Sequence, residues 1–235
     1  MRRAIDGGLV LFGFSDHTPY TYPEGYSSHS KMSVGEMGIY FSEALRLREK
    51  YRDYIDIRIG FEAEYFPLYW ESLLAEYRKY PLEYLLYAGH EIGNEPDAFS
   101  AFKPTADPER LTAYVDHSIM ALETGRFSAI AHPDCLNFVG DEELYRTEMS
   151  RLISAAKRLD IPMEINMHGI RRGINYPCPA FWEEASKIGV TAYFGMDCHK
   201  PEHVANPEEI ANIERFAERY KLNVIDELKL VNPLF

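Results

Sequence analysis

Residues 55–64, IDIRIGFEAE, carry the pattern that decides the fold. Ile55, Ile57, Ile59 and Phe61 alternate with polar residues or glycine, so an extended chain would place all four apolar side chains on one face. This period predicts a β-strand with one buried face. The strand is followed at once by the acidic pair of Glu-Ala-Glu, which puts carboxylates at its carboxyl end.

Strands and helices alternate along the rest of the chain. The predicted strands are Leu9–Phe14, Ile55–Phe61, Tyr84–Gly89, Ser128–Ala131, Ile161–Ile165 and Val190–Met196. The predicted helices between and after them cover 33–51, 68–79, 108–125, 142–159, 180–188 and a segment from 207. Ser33 with Glu36, Asp107 before Pro108, and Asn206 before Pro207 are typical helix starts. The tail from Asn223 fits either type of element.

This alternation predicts an α/β protein with a parallel sheet and right-handed crossovers. A barrel and an open sheet both fit the pattern. No boundary divides the chain, so residues 1–235 are expected to form a single domain.

Composition narrows the classes of function. The net charge of −12 argues against a nucleic-acid backbone as the main partner, although a local pocket could still bind an anion. Three cysteines without a CxxC pair favour a reducing compartment. No apolar run is long enough for a membrane span, and no signal-peptide core is present, so we expect a cytoplasmic protein. Nothing in the sequence indicates an oligomeric state.

Five of the six predicted strands end in an imidazole, a carboxylate or both. These strand-end residues are Asp16, His17, Glu62, Glu64, His90, His132, Asp134, Asp197 and His199. Because the carboxyl ends of parallel strands meet at one edge, we expect them to lie together. Imidazole and carboxylate are ligands for zinc, manganese or iron, and Glu62 or Asp197 could bridge two ions. The pattern therefore predicts a metal centre.

Small residues precede most of these ligands by two positions. They are Ser15, Gly60, Ala88 and Gly195, with Ile130 as the exception. Residues two apart in a strand share a face, so small side chains there are expected to leave room for ions and water.

For the remaining histidines, two arginines and a cysteine, a structural role is weighed against a functional one. A histidine within a helix, His117, and two in loops, His29 and His203, are expected to be structural or solvated. His168 could be either. Arg171 and Arg172 either cover a solvated loop or clamp a phosphate, because a guanidinium binds phosphate oxygens well. Cys198 is expected to be a small packed residue rather than a nucleophile.

Together, several short motifs resemble one known family. The strings GFSDHTPY, GFEAEY, AHPD, EIN with GIRR, and FGMDCHKPEHV are similar to successive motifs of the histidinol-phosphate phosphatases of the PHP superfamily. The resemblance runs from about Gly8 to at least Val204. It implies a distorted TIM-like (β/α)7 barrel with two or three divalent ions. It also implies hydrolysis of L-histidinol phosphate to L-histidinol and phosphate in histidine biosynthesis.

The resemblance assigns roles by position. Metal ligation is implied for His17, Glu62, His90, His132, Asp197 and His199, and phosphate binding for Arg171, with Arg172 beside it. Asp197 and His199 would thereby belong to the catalytic machinery. Two or three ions would lower the pKa of a bridging water, and the hydroxide would attack phosphorus. Asp16 or a metal-bound water could then protonate the leaving alkoxide. The substrate would be a small phosphorylated molecule.

The match departs from the family at two places. The family begins with a strand ending in a His-x-His pair, which this sequence lacks, and residues 1–8 resemble the end of a helix. We therefore expect the first strand and most of the first helix, on the order of 20 to 30 residues, to be missing before Met1. Glu91 stands where the family has a bulky residue. The alternatives are a phosphoesterase for another small ester, or a shortened, catalytically silent form that binds one metal or a partner strand.

Overall fold

The computed structural model describes residues 1–235 and contains one seven-stranded parallel sheet. Its strands are β1 Leu11–His17, β2 Asp56–Ala63, β3 Tyr84–Tyr87, β6 Ala129–Ile130, β7 Met163–Asn166, β8 Thr191–Gly195 and β9 Asn223–Val224. Between β3 and β6, a small antiparallel pair forms from β4 Glu91–Ile92 and β5 Phe99–Ser100. The order in the main sheet is β1-β2-β3-β6-β7-β8-β9, so β1 and β9 are its edges. The predicted α/β class with a parallel sheet is confirmed.

Eight helices flank the sheet. They are α1 Arg2–Asp6, α2 Met37–Tyr51, α3 Trp70–Tyr77, α4 Pro108–Glu123, α5 Glu142–Leu159, α6 Met167–Arg172, α7 Pro179–Ile188 and α8 Pro207–Tyr220. The side chain of Asp107 caps α4 by accepting from Glu109 N at 2.9 Å, and Asn206 caps α8 by accepting from Glu208 N at 3.0 Å. Each of the eight helices is too short or too polar to cross a bilayer.

Two local features differ from the predictions, and the tail that the sequence left open is a strand. The capping box of Ser33 and Glu36 forms, but it opens a short 3-10 turn, Val34–Glu36, and α2 begins only at Met37. The ambiguous tail contributes β9, a seventh strand. The segment after β7, for which the sequence predicted no helix, is α6, because the Asn166 side chain accepts from Gly169 N at 2.8 Å and caps a short helix.

The apolar face of β2 packs into the core as predicted. Ile57, Ile59 and Phe61 are buried. Arg58, Gly60 and Glu62 lie on the opposite face of the strand, which is the concave side of the curled sheet. The burial of one face therefore fixes which residues of β2 point into the cavity.

Strand register places the ends of neighbouring strands at the same level. His17 of β1 lies opposite Glu62 of β2, and Asn166 of β7 lies opposite Gly195 of β8. A cavity of about 1460 Å³ lies between β1 and β8, and Glu62, Asp197 and His199 line it. The carboxyl ends of β1, β2 and β8 thus open onto one space.

Candidate metal centre

Two groups of potential ligands form at the carboxyl edge of the sheet. The first consists of His17, Glu62 and His90, and the second of His168, Asp197 and His199. Within each group, the ligating atoms lie within 4.8 Å of one another. The expected clustering of residues from distant strands is therefore present in the structure.

His132 joins the first group. Its Nε2 lies 2.8 Å from Glu62 Oε1 and 3.0 Å from His90 Nε2. His90 Nδ1 is bonded to Glu64 Oε1 at 3.0 Å, so the other ring nitrogen faces the cluster. Two imidazole nitrogens and a carboxylate oxygen thus converge on one point. Because these atoms are the ligands that zinc prefers, the residues fit a divalent cation at that point.

In the first group, the carboxylate of Glu62 interacts electrostatically with the imidazoles around it. Burial alone would raise the pKa of the Glu62 carboxyl, but the imidazoles of His90 and His132 outweigh it and hold this pKa well below its usual value. Burial lowers the pKa of His90, but the Glu62 carboxylate outweighs it and raises this pKa to about 9. Glu62 is therefore an anionic carboxylate at the centre of the cluster.

The second group includes a histidine whose role the sequence left open. The His168 ring lies against that of His199, with centroids 4.5 Å apart, and His199 Nε2 lies 2.9 Å from Asp197 Oδ1. Residue His199 is exposed, whereas Asp197 is half-buried. The structure therefore places His168 among the potential ligands, a role that its position on α6 makes available.

Glu164 and Asn166 of β7 connect the two groups. Glu164 Oε2 accepts from the backbone N of His132 at 2.8 Å and from Asn166 Nδ2 at 3.0 Å. The same Nδ2 donates to Asp197 Oδ2 at 3.0 Å. Burial raises the pKa of Glu164 to about 7. The only trace of this role in the sequence is the alternation of Glu164 and Asn166 at a strand end.

The backbone is strained at two of the candidate ligands. His132 has a φ of 27° and Asp197 a φ of 43°, in the left-handed region that residues with a side chain rarely adopt. Such conformations cost on the order of 1–3 kcal/mol and persist where the surroundings enforce them. The contact from Glu164 to His132 N is one such constraint.

The space beside the small strand residues is filled by protein. A Cβ on Gly60 would lie 2.6 Å from the Tyr84 ring, and one on Gly195 would lie 1.5 Å from Glu164 Oε1. The prediction that these two positions leave room for ions and water is therefore wrong. Gly60 and Gly195 instead leave room for the side chains of Tyr84 and Glu164, which pack against them.

Arg171 is held by protein groups. Its Nε and Nη2 donate to the carboxylate of Glu209, at 2.8 and 2.7 Å, and Nη2 also donates to Met196 O. Nη1 lies 3.2 Å from His168 Nδ1. Since a guanidinium has five N–H groups, these four contacts leave one N–H free for a phosphate oxygen. Arg172 is exposed.

Other predicted residues lie outside the two groups. Asp16 is exposed, and its carboxylate accepts from His17 N at 2.7 Å. Asp134 is buried and accepts from the Trp182 indole at 3.0 Å, which is a structural role. His117 donates to Tyr65 O, as expected of a structural histidine. Cys198 is half-buried, and burial raises the pKa of its thiol to about 11, so it is poorly suited to act as a nucleophile.

Fold and site together define an α/β protein in which imidazoles and carboxylates converge at the strand ends, a metal-site architecture. The model of the PHP domain matches residues 1–168, and the chain therefore belongs to the PHP domain family. The family resemblance inferred from the motifs is confirmed.

Two curated relatives cover most of the chain. A protein of Deinococcus radiodurans named "Probable histidinol-phosphatase" is 22% identical over 210 residues, which are 86% of this chain and 79% of the relative. A protein of Schizosaccharomyces pombe with the same name is 28% identical over 229 residues, which are 87% of this chain and 75% of the relative.

Two solved structures share the fold. A candidate histidinol phosphatase, hisK, from Listeria monocytogenes superposes with a TM-score of 0.71 at 17% identity, covering 89% of this chain and 91% of that chain. The histidinol phosphate phosphatase of Lactococcus lactis, solved with zinc, L-histidinol and phosphate, superposes with a TM-score of 0.68 at 16% identity. That comparison covers 95% of this chain and 87% of that chain. The fold expected from the resemblance is thereby confirmed.

Proposed function

We propose that this protein is a metal-dependent phosphatase whose substrate is L-histidinol phosphate. The observation that carries the proposal is the pair of ligand groups at the strand ends, linked through Glu164 and Asn166. The names of both curated relatives support the substrate, and the zinc, L-histidinol and phosphate in the Lactococcus structure support the chemistry.

The proposed metal ligands divide between the two groups. Four of them, His17, Glu62, His90 and His132, would hold one part of the centre, and Asp197 and His199 the other, with two or three ions in all. Zinc is the ion that the Lactococcus structure supports, and manganese and iron suit the same ligands. Divalent ions, when bound, lower the pKa of water and neutralise charge on phosphate oxygens, which is the basis of the bridging-hydroxide hypothesis. Asn166 would keep the Asp197 carboxylate oriented towards the centre.

Arginines would provide the protein's own positive charge for the phosphate group. The free N–H of Arg171 can donate to one phosphate oxygen while the remaining four stay with Glu209, Met196 and His168. Arg172 is exposed beside it and free to add a second contact. In this proposal either Asp16 or a metal-bound water would donate a proton to the leaving alkoxide.

The proposal includes a place in histidine biosynthesis in the cytoplasm. The three free cysteines support a reducing setting.

A substrate panel tests the proposed function. The purified protein, loaded with zinc or manganese, is assayed for phosphate release from L-histidinol phosphate, from other small phosphomonoesters including nucleotides, and from a phosphodiester. We expect the highest kcat/KM for L-histidinol phosphate. A clear preference for another ester would overturn the substrate, and a metal-loaded protein without turnover on the whole panel would overturn the activity.

A further inference from the structure

A buried lysine reaches the metal centre from a long loop. Residues 18–32, between β1 and the 3-10 turn, form no helix or strand, yet the Lys31 side chain is only 2% exposed. Its ammonium lies 2.8 Å from Glu95 Oε2 and 3.3 Å from Glu64 Oε1. A buried ammonium is costly unless it is paired, so these two carboxylates hold the loop in place.

Glu64 transmits this contact to a candidate metal ligand. The same Oε1 that faces Lys31 is bonded to His90 Nδ1 at 3.0 Å. With Nδ1 occupied, Nε2 is the ring nitrogen of His90 that is directed at Glu62 and His132, where a metal ion would bind it in place of a proton. The contacts therefore run without interruption from the loop, through Lys31 and Glu64, to the ligating nitrogen.

Charge balance makes Lys31 the essential member of this chain of contacts. The side chains of Glu64 and Glu95 are 2% and 10% exposed, and the ammonium lies between them. Tyr22 of the loop also donates to Glu95, which ties a second point of the loop to the same carboxylate. Without the ammonium, the buried carboxylates of Glu64 and Glu95 would lie close together with no cation between them, and a loop that moved away would let water reach them.

We propose that Lys31 is a positioning residue of the metal centre. It anchors the loop and, through Glu64, keeps His90 turned so that Nε2 binds metal. Loop closure and metal affinity are then two aspects of one equilibrium: opening the loop weakens metal binding, and metal binding favours the closed loop. The inference rests on the proposed metal centre and is independent of the substrate.

Metal affinity and loop accessibility together test this role. The native chain, Lys31→Met, Lys31→Arg and the control Lys50→Met are stripped of metal. Zinc and manganese dissociation constants are then measured by competition with a chromophoric chelator. Chymotrypsin cleavage in the tyrosine-rich loop is followed with and without metal. Lys50 is exposed on α2, so its variant controls for loss of a positive charge.

We expect Lys31→Met to weaken metal binding at least tenfold and to speed loop cleavage, with Lys31→Arg recovering part of both effects and Lys50→Met behaving as native. If Lys31→Met does not fold, the double variant K31M/E95Q removes a carboxylate together with the ammonium, and a smaller loss of affinity in the same direction is expected because Glu64 still lacks its cation. Native affinity in a folded variant, with or without faster cleavage, would overturn the proposal.

The outcomes separate this inference from the proposed function. If the substrate panel fails but Lys31→Met still weakens metal binding as expected, only the proposed substrate or activity is overturned. A native chain that binds no divalent ion would overturn both.

Discussion

At the scale of single residues, a glycine in a strand is tightly constrained by the side chain packed against it. Gly195 has no side chain because the carboxylate of Glu164 occupies the space where a Cβ would lie. Glu164 in turn supports His132 and, through Asn166, Asp197. Gly195, two residues before the candidate ligand Asp197, thus leaves the space that Glu164 needs to join the two ligand groups.

Gly195→Ala is therefore expected to displace Glu164 and to destabilise the protein by about 1–3 kcal/mol, the usual cost of overpacking. Urea unfolding measures the loss, and the metal content should fall with it. Gly35→Ala is the control, because a Cβ there meets nothing nearer than 3.9 Å. Adding Glu164→Ala to Gly195→Ala should relieve part of the cost, and strictly additive losses would contradict this account.

The burial of His117, which belongs to neither ligand group, predicts that the stability of the protein depends on pH. Burial lowers its pKa below the ordinary value of 6.5, although the bond to Tyr65 O opposes the shift. The unfolded chain therefore takes up the proton first as pH falls. The stabilising contribution is fully present above pH 6.5 and is lost as pH falls through the lowered pKa.

His117→Gln keeps an N–H donor for Tyr65 O and removes the titration. Between about pH 7.5 and about pH 5.5, the native chain should lose more free energy of unfolding than this variant. Urea midpoints at several pH values measure the difference. Parallel losses in both proteins would show that His117 does not contribute.

At the scale of elements, the sequence predicts most of what local chemistry controls. The alternation in β2 and the caps at Asp107 and Asn206 act over a few residues, and the structure contains all three. The sequence did not indicate the short helix α6 because its N-cap, Asn166, also lies within the strand pattern. Contacts between Lys31 and Glu64, or between Gly195 and Glu164, join residues far apart in sequence, so no local pattern indicates them.

The cap of α8 allows a test at this scale. Asn206→Ala removes bonds to Glu208 N and Glu209 N and should cost about 1 kcal/mol in urea unfolding. Glu209 also holds Arg171, so fraying of this turn should loosen that ion pair. Asn212→Ala, in the interior of the same helix, should not destabilise the protein, because alanine is the better helix former there and the exposed bond from Arg215 contributes little. Equal effects of the two substitutions would contradict a capping role.

At the scale of the whole molecule, the curled sheet brings strand ends from distant parts of the sequence to one cavity. His17 comes from the first strand and Asp197 follows the eighth, yet both line the same space of about 1460 Å³. The strand-end pattern predicted this convergence because parallel strands share one carboxyl edge. The link through Glu164 and Asn166 depends on the three-dimensional packing and became visible only in the structure.

Metal stoichiometry is the most direct test of the central claim. The native chain, His132→Ala and Asp197→Ala are saturated with zinc or manganese and freed of excess ion, and bound metal and turnover of L-histidinol phosphate are then measured on the same samples. The account predicts two or three ions and turnover in the native chain, with both reduced in each variant. Unchanged metal content and full activity in the variants, or fewer than two ions and no turnover in the native chain, would contradict it.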